Sequence, residues 1–91
     1  MTIQVNLTTY FAQQVIQAAG SQIPLLHPGA TFISEHVLGP AYWNSLSPSR
    51  RKLAGKVLAE AVKRGLLPLI KGEPRSDNRR TYLLDSTQFD P

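Results

Sequence analysis

Apolar residues first follow a helical period between residues 10 and 19. Thr8 or Thr9 is a suitable N-cap ahead of this stretch, and Gly20 is a typical helix stop after it. The apolar positions are Tyr10, Phe11, Val15, Ile16 and Ala19. The pattern predicts a first helix whose outer face carries glutamines and no charge, which makes residues 1–20 the candidate surface for a homodimer.

A shorter helical pattern covers residues 33–38 and stops at Gly39, because the proline that follows it cannot continue the helix. Residues 30–32, just before this pattern, are expected to form a short extended segment. Residues 39–47 predict a connection in which Trp43 packs into the core, since a small domain has few other large side chains to fill its centre.

The third predicted helix has the clearest boundaries in the chain. Ser47 is an N-cap, Pro48 suits the first helical position, and Gly65 stops the helix after Arg64. At 100° per residue one wide apolar face contains Leu53, Ala54, Val57, Leu58, Ala61 and Val62. The opposite face carries a lysine stripe made of Lys52, Lys56 and Lys63.

Two short apolar stretches, residues 66–70 and 81–84, predict a β-hairpin. Pro68 confines the first strand to an edge, because proline has no N–H to donate to a neighbour. The loop between the strands contains turn-forming residues and four cations, which are Lys71, Arg75, Arg79 and Arg80. Tyr82 follows this basic loop and is the aromatic residue that the pattern favours at a binding surface.

The composition adds few chemical groups to this picture. The 91 residues are 42% hydrophobic and include no cysteine, which excludes disulfides, thiolate metal sites and cysteine nucleophiles. His27 and His36 are too few to form a zinc site, and no nucleophile and base pair can be proposed. We therefore expect a cytoplasmic, non-enzymatic protein with no cofactor, no metal, no signal peptide and no membrane partner.

Charge is divided unequally along the chain. Residues 48–91 hold all ten basic residues and five of the six acids, a balance of +5, whereas residues 1–47 hold only Glu35. This asymmetry favours an anionic partner for the second half of the chain, with nucleic acid first among the candidates. The alternative is an ordinary solvated surface whose charge falls on one side by chance.

The order of the predicted elements, from residue 8 to residue 84, resembles the winged helix-turn-helix superfamily. The chain from Trp43-Asn-Ser-Leu46 through Arg50, Arg51 and Ala54-Gly55 to Ala61-Val62-Lys-Arg-Gly65 is also similar to small stand-alone winged-helix domains of bacterial or phage type. The resemblance implies an α+β fold, a three-helix winged helix-turn-helix with a C-terminal two-stranded β-hairpin wing. Residues 1–84 would form the single domain, with 1–7 as an N-terminal arm or short strand and 85–91 as a polar C-terminal tail. The connection over residues 39–47 is longer than the usual turn of the motif.

The resemblance further implies that the third helix enters a DNA major groove and that the hairpin touches the backbone. Its DNA-binding candidates are Ser49, Arg50, Arg51, Lys52 and Lys56 on the helix and Arg75, Arg79 and Arg80 on the wing. The lysine stripe adds Lys63 to this set. The expected function is therefore a small transcriptional regulator that binds double-stranded DNA. The alternative is a protein–protein interaction module, an adaptor or inhibitor that uses the same basic face on an acidic protein partner.

Overall fold

Local capping signals set most of the helix boundaries in the computed structural model, which describes residues 6–27, 29–74 and 79–84. Within these ranges the fold is α+β, with four α-helices, one 3-10 helix and an antiparallel hairpin. In chain order the elements are α1 (Tyr10–Gln22), the 3-10 helix (Ile23–Leu25), α2 (Ser34–Leu38), α3 (Pro40–Asn44), α4 (Pro48–Lys63), β1 (Leu69–Lys71) and β2 (Tyr82–Leu84).

Helix α1 begins where the sequence predicts and ends later. The side-chain oxygen of Thr9 accepts a hydrogen bond from the backbone N–H of Ala12 at 3.2 Å, which confirms Thr9 as the N-cap. The predicted stop at Gly20 is wrong, since the helix continues to Gln22 and runs into the 3-10 helix. Burial of Ile23 in the core favours this continuation, and the extra turn outweighs the low helix propensity of one glycine.

The predicted connection over residues 39–47 contains a fourth α-helix, α3. Gly39 has a φ of +88°, which lets the chain turn sharply at the end of α2, and Pro40 then occupies the first turn of α3. A Cβ at Gly39 would also lie 2.9 Å from Oε1 of Gln22, so the end of this flexible side chain would have to shift. The three-helix arrangement is therefore corrected to four helices in the described residues, with two short helices where one helix and a loop were expected.

Helix α4 has the predicted caps at both ends. The hydroxyl of Ser47 accepts a hydrogen bond from the N–H of Arg50 at 3.3 Å. At the other end, the N–H of Gly65 bonds to the carbonyl of Val62 and the N–H of Leu66 bonds to the carbonyl of Ala61, the Schellman pattern. The predicted apolar face is one position too wide, since Leu53 is 46% exposed. The fully buried positions of α4 are Ala54, Val57, Leu58 and Ala61.

Strand β2 lies between two backbone partners. It pairs with β1 in antiparallel register, with Lys71 opposite Tyr82. On its other edge, Tyr82 and Phe32 exchange two backbone hydrogen bonds of 2.7 and 2.8 Å. These pairings confirm the predicted hairpin and the extended segment before α2. The predicted wing residue Arg75 lies outside the described residues, as do the arm before Asn6 and the tail after Leu84.

The core joins the helices to the hairpin. Side chains from α1, α2, α4 and both strands form one buried cluster, whose largest fully buried members are Tyr82, Leu58, Val15, Val37 and Val57. The prediction of Tyr82 as a surface aromatic is wrong, because the side chain is 1% exposed. Pairing with Phe32 draws Tyr82 against the helices, where burying a large ring contributes strongly to a small core. No helix in the described part of the chain is long and apolar enough to cross a bilayer.

The outer face of α1 is exposed to solvent in the described chain. Gln13, Gln14 and Gln17 are exposed, and Tyr10 is 80% exposed at the start of the helix. The homodimer through residues 1–20 stays a prediction.

Two glycine-to-alanine substitutions should change stability in opposite directions. Gly65 has a φ of +74°, so Gly65→Ala should lower the free energy of unfolding by about 1 kcal/mol. Gly20 lies inside α1, and Gly20→Ala should raise that free energy by about 0.5–1 kcal/mol. Neither added Cβ meets an atom within 4 Å, so the comparison isolates backbone conformation. Urea unfolding of both variants is the measurement, and shifts of the same sign would contradict the prediction.

Candidate nucleic-acid interface

A cleft of about 720 Å³ lies where the N-terminal half of α4 meets the start of α2 and the segment before β2. The packing of α2 against α4 forms one side, and the chain that enters β2 forms another. The lining residues are Ile33, Ser34, Glu35, Trp43, Pro48, Arg51, Lys52, Gly55, Lys56, Arg79 and Arg80. The concave surface therefore combines elements that are distant in sequence.

Five of the predicted site residues line this one cleft. Arg51 and Lys52 come from one turn of α4 and Lys56 from the next, and Arg79 and Arg80 come from the hairpin. Apart from Arg51, which is half-buried, these side chains are exposed. The fold thus concentrates positive charge from the two predicted sources on one concave surface.

Trp43 holds Arg51 in a defined position. Nε of Arg51 donates a hydrogen bond to the backbone oxygen of Trp43 at 3.2 Å, and the guanidinium carbon lies 5.5 Å from the centre of the indole ring. A planar guanidinium can stack on an aromatic ring and donate a hydrogen bond at the same time. Arg51 therefore links α4 to the end of α3 as well as lining the cleft.

The other predicted site residues lie apart from this cleft. The guanidinium of Arg50 lies 5.3 Å from the ring of Phe11, which places it on the side of α4 that faces α1. Ser49 is exposed at the start of α4, with its hydroxyl 3.4 Å from that of Ser47. Lys63 lines a second cleft between α4 and the hairpin. Ser49, Arg50 and Lys63 remain predicted DNA contacts. The structure does not bring them into the cleft with the other five predicted residues.

Six lining residues of the cleft were not among the predicted site residues, namely Ile33, Ser34, Glu35, Trp43, Pro48 and Gly55. Ser34 and Glu35 lie at the start of α2, and Glu35 is the acid that lines this otherwise basic surface. Trp43 was expected in the core and does pack against it, but its half-buried ring also borders the cleft. The position of Glu35 two residues into the predicted second helix was visible in the sequence. Its approach to α4 depends on how the helices pack.

Two tyrosine hydroxyls beside the basic residues are buried without a hydrogen-bond partner in the described chain, those of Tyr42 and Tyr82. Burial raises the pKa of Tyr42 above its ordinary value, and the charge of Arg50 acts in the opposite direction. Burial likewise raises the pKa of Tyr82, against the opposing charge of Arg80. Both phenols are therefore neutral near pH 7.

The cleft is lined by five cations and one acid. Within the described residues, no group of three or more His, Cys, Asp or Glu side chains could hold a metal ion. Comparison of the chain with family models, curated proteins and solved structures finds no match.

Replacing Arg51 should reduce stability, because its side chain makes two internal contacts. We expect Arg51→Ala to lower the free energy of unfolding by about 1–2 kcal/mol, as a cation–π contact and a charged hydrogen bond are lost. The emission of Trp43, the only tryptophan in the chain, should change at the same time. Lys52→Ala is the matched control, since Lys52 is exposed and should change stability by less than about 0.5 kcal/mol. Equal losses in the two variants would contradict the role given to Arg51.

Alkaline pH should destabilise the fold through Tyr82. Its pKa is raised above 10.0 in the folded chain, so the unfolded chain loses this proton first as the pH increases. The free energy of unfolding should therefore fall above about pH 10, by up to about 1.4 kcal/mol per pH unit for this group. Tyr82→Phe should reduce that slope, and near neutral pH it should be at least as stable as the wild type, because it removes a hydroxyl without a partner. Urea unfolding at about pH 8 and about pH 11 tests this, and an unchanged slope would contradict it.

Proposed function

We propose that this chain is a winged-helix protein that binds double-stranded DNA and acts as a small transcriptional regulator. Helix α4 would lie in the major groove, and the hairpin would contact the sugar–phosphate backbone. The proposal extends the observed α+β architecture, because a long helix preceded by short helices and followed by a hairpin is the arrangement of a winged helix-turn-helix.

The observation that carries the proposal is the convergence of cations from α4 and the hairpin on one cleft. Lys52 and Lys56 are one turn apart on the exposed face of α4, and Arg80 lies beside them from the other element. DNA presents closely spaced phosphates on both sides of a groove, and cations on two separate elements can contact both sides. A solvated helix face alone would not bring the hairpin cations to the same surface.

The dimensions of α4 suit a major groove. Its 16 residues give a length of about 24 Å at the rise of an α-helix. A groove about 12 Å wide admits such a helix, and arginine and lysine can donate to guanine O6 and N7 there. In this arrangement Ser49, Lys52 and Lys56 would face the groove. Arg51, which is held by Trp43, would contact the backbone at its edge.

Salt dependence of binding tests the proposal directly. Fluorescence anisotropy of a labelled random duplex of about 25 bp, titrated at several salt concentrations, should give log K against log salt with a slope near −5, as about five to seven phosphates are engaged. Lys52→Ala and Arg80→Ala should each weaken binding about fivefold and reduce the slope by about one.

Two further variants make this test specific to the cleft. Arg64→Ala also removes one positive charge, but Arg64 is bonded to Glu60 at 2.9 Å and lines neither cleft, so the slope should not change. Glu35→Gln removes a negative charge from the cleft and should strengthen binding about twofold to fivefold. No binding at low salt would reject the DNA proposal and favour an acidic protein partner. Equal effects of Lys52→Ala and Arg64→Ala would reject the assigned site.

A further inference from the structure

A second cleft, of about 680 Å³, lies between the C-terminal half of α4 and the hairpin. Its walls are mainly apolar, with Ala59 and Val62 on α4 and Leu69 and Ile70 on β1. Ile70 is 50% exposed, so apolar surface at this cleft is open to solvent. Concave sites of this volume with apolar walls and a few polar groups are typical of small-molecule binding.

Four exposed cations surround the apolar walls of this second cleft. They are Lys56 and Lys63 from α4, Lys71 from β1 and Arg80 from the segment before β2. The acid that lines the cleft is Glu60, and its carboxylate is already paired with Arg64 at 2.9 Å. The balance of charge is therefore positive beside an apolar surface, which is complementary to an anionic group attached to an apolar body.

Tyr82 is a buried residue at the edge of the same cleft. Its side chain lines the cleft and is 1% exposed. Its hydroxyl is buried and makes no hydrogen bond to any described residue.

We propose that the second cleft binds a small organic anion, a monocarboxylate with an apolar chain or ring. Its apolar body lies between α4 and β1, and its carboxylate lies among the surrounding cations. DNA supplies the negative charge but has no flexible apolar group that would enter between Val62 and Ile70. A small amphipathic acid has both the negative charge and the flexible apolar group.

The two clefts share two cations, because Lys56 and Arg80 line both of them. A carboxylate bound in the second cleft would neutralise charge that the proposed DNA contact uses. The anion therefore competes with DNA, a consequence that rests on the proposed function. Binding of the anion in the second cleft does not depend on the proposed function.

Octanoate is the probe for a direct binding test on the whole chain without DNA. In a ¹H–¹⁵N NMR titration, octanoate should shift the amide signals of residues 59–71 in a saturable manner. 1-Octanol has the same chain length without the charge and should bind about fivefold more weakly or worse. Acetate, which has the charge without the chain, should show no saturable shift. Equal affinity for octanoate and 1-octanol, or shifts centred on α1, would overturn the proposal.

Matched variants locate the site. Ile70→Glu places a like charge in the cleft and should weaken octanoate binding about tenfold or more. Leu66→Glu is its control, because Leu66 is 54% exposed and does not line the cleft. Lys71→Ala should weaken binding about twofold to fivefold. Lys52→Ala, in the other cleft, should leave binding unchanged. Unchanged affinity in both Ile70→Glu and Lys71→Ala would overturn the site.

A competition experiment separates this proposal from the DNA proposal. Octanoate should weaken duplex binding by the wild type and have at least tenfold less effect on Ile70→Glu. If octanoate binds and the protein shows no affinity for DNA, the small-molecule site stands and the competition is rejected. If octanoate does not bind, the small-molecule site is rejected whatever the DNA measurement shows.

Discussion

The backbone pairing of Tyr82 with Phe32 is the contact on which the basic cleft depends. The backbone N–H and C=O of Tyr82 both form hydrogen bonds with Phe32. On the side of this segment that faces β1, the N–H of Gly72 donates to the carbonyl of Thr81. The Tyr82 ring is buried in the core at the same point. These contacts hold the hairpin against the helices, and Arg79 and Arg80, just before β2, therefore lie beside α4.

Helix α4 presents three different surfaces to its surroundings. One face is buried against the other helices and contains residues such as Val57 and Leu58. A second face borders the cleft with α2, and a third borders the cleft with the hairpin. Lys56 lies between the two clefts and lines both, so a ligand bound in either cleft would change the charge available to the other.

The basic residues of α4 and the turn after it differ in what they do. Arg50 and Arg51 lie over aromatic rings, and Arg64 pairs with Glu60. The lysines at positions 52, 56 and 63 are exposed. This division follows from chemistry, because a planar guanidinium stacks and donates at fixed angles, whereas an ammonium group is strongly hydrated. The formal charge of +4 therefore includes arginines that contact other side chains of the fold and lysines that are exposed to solvent.

The boundaries of α4 and the presence of the hairpin were determined by the sequence itself, since Ser47, Pro48 and Gly65 act on the backbone within a few residues. The sequence also identified α4 and the hairpin as the two sources of positive charge. Tertiary structure decided the continuation of α1 past Gly20, the burial of Tyr82 and the exposure of Leu53. It also decided which cations share a cleft and that Glu35 and Trp43 border it. Each of these outcomes depends on contacts between residues distant along the chain, and local propensity and periodicity contain no information about such contacts.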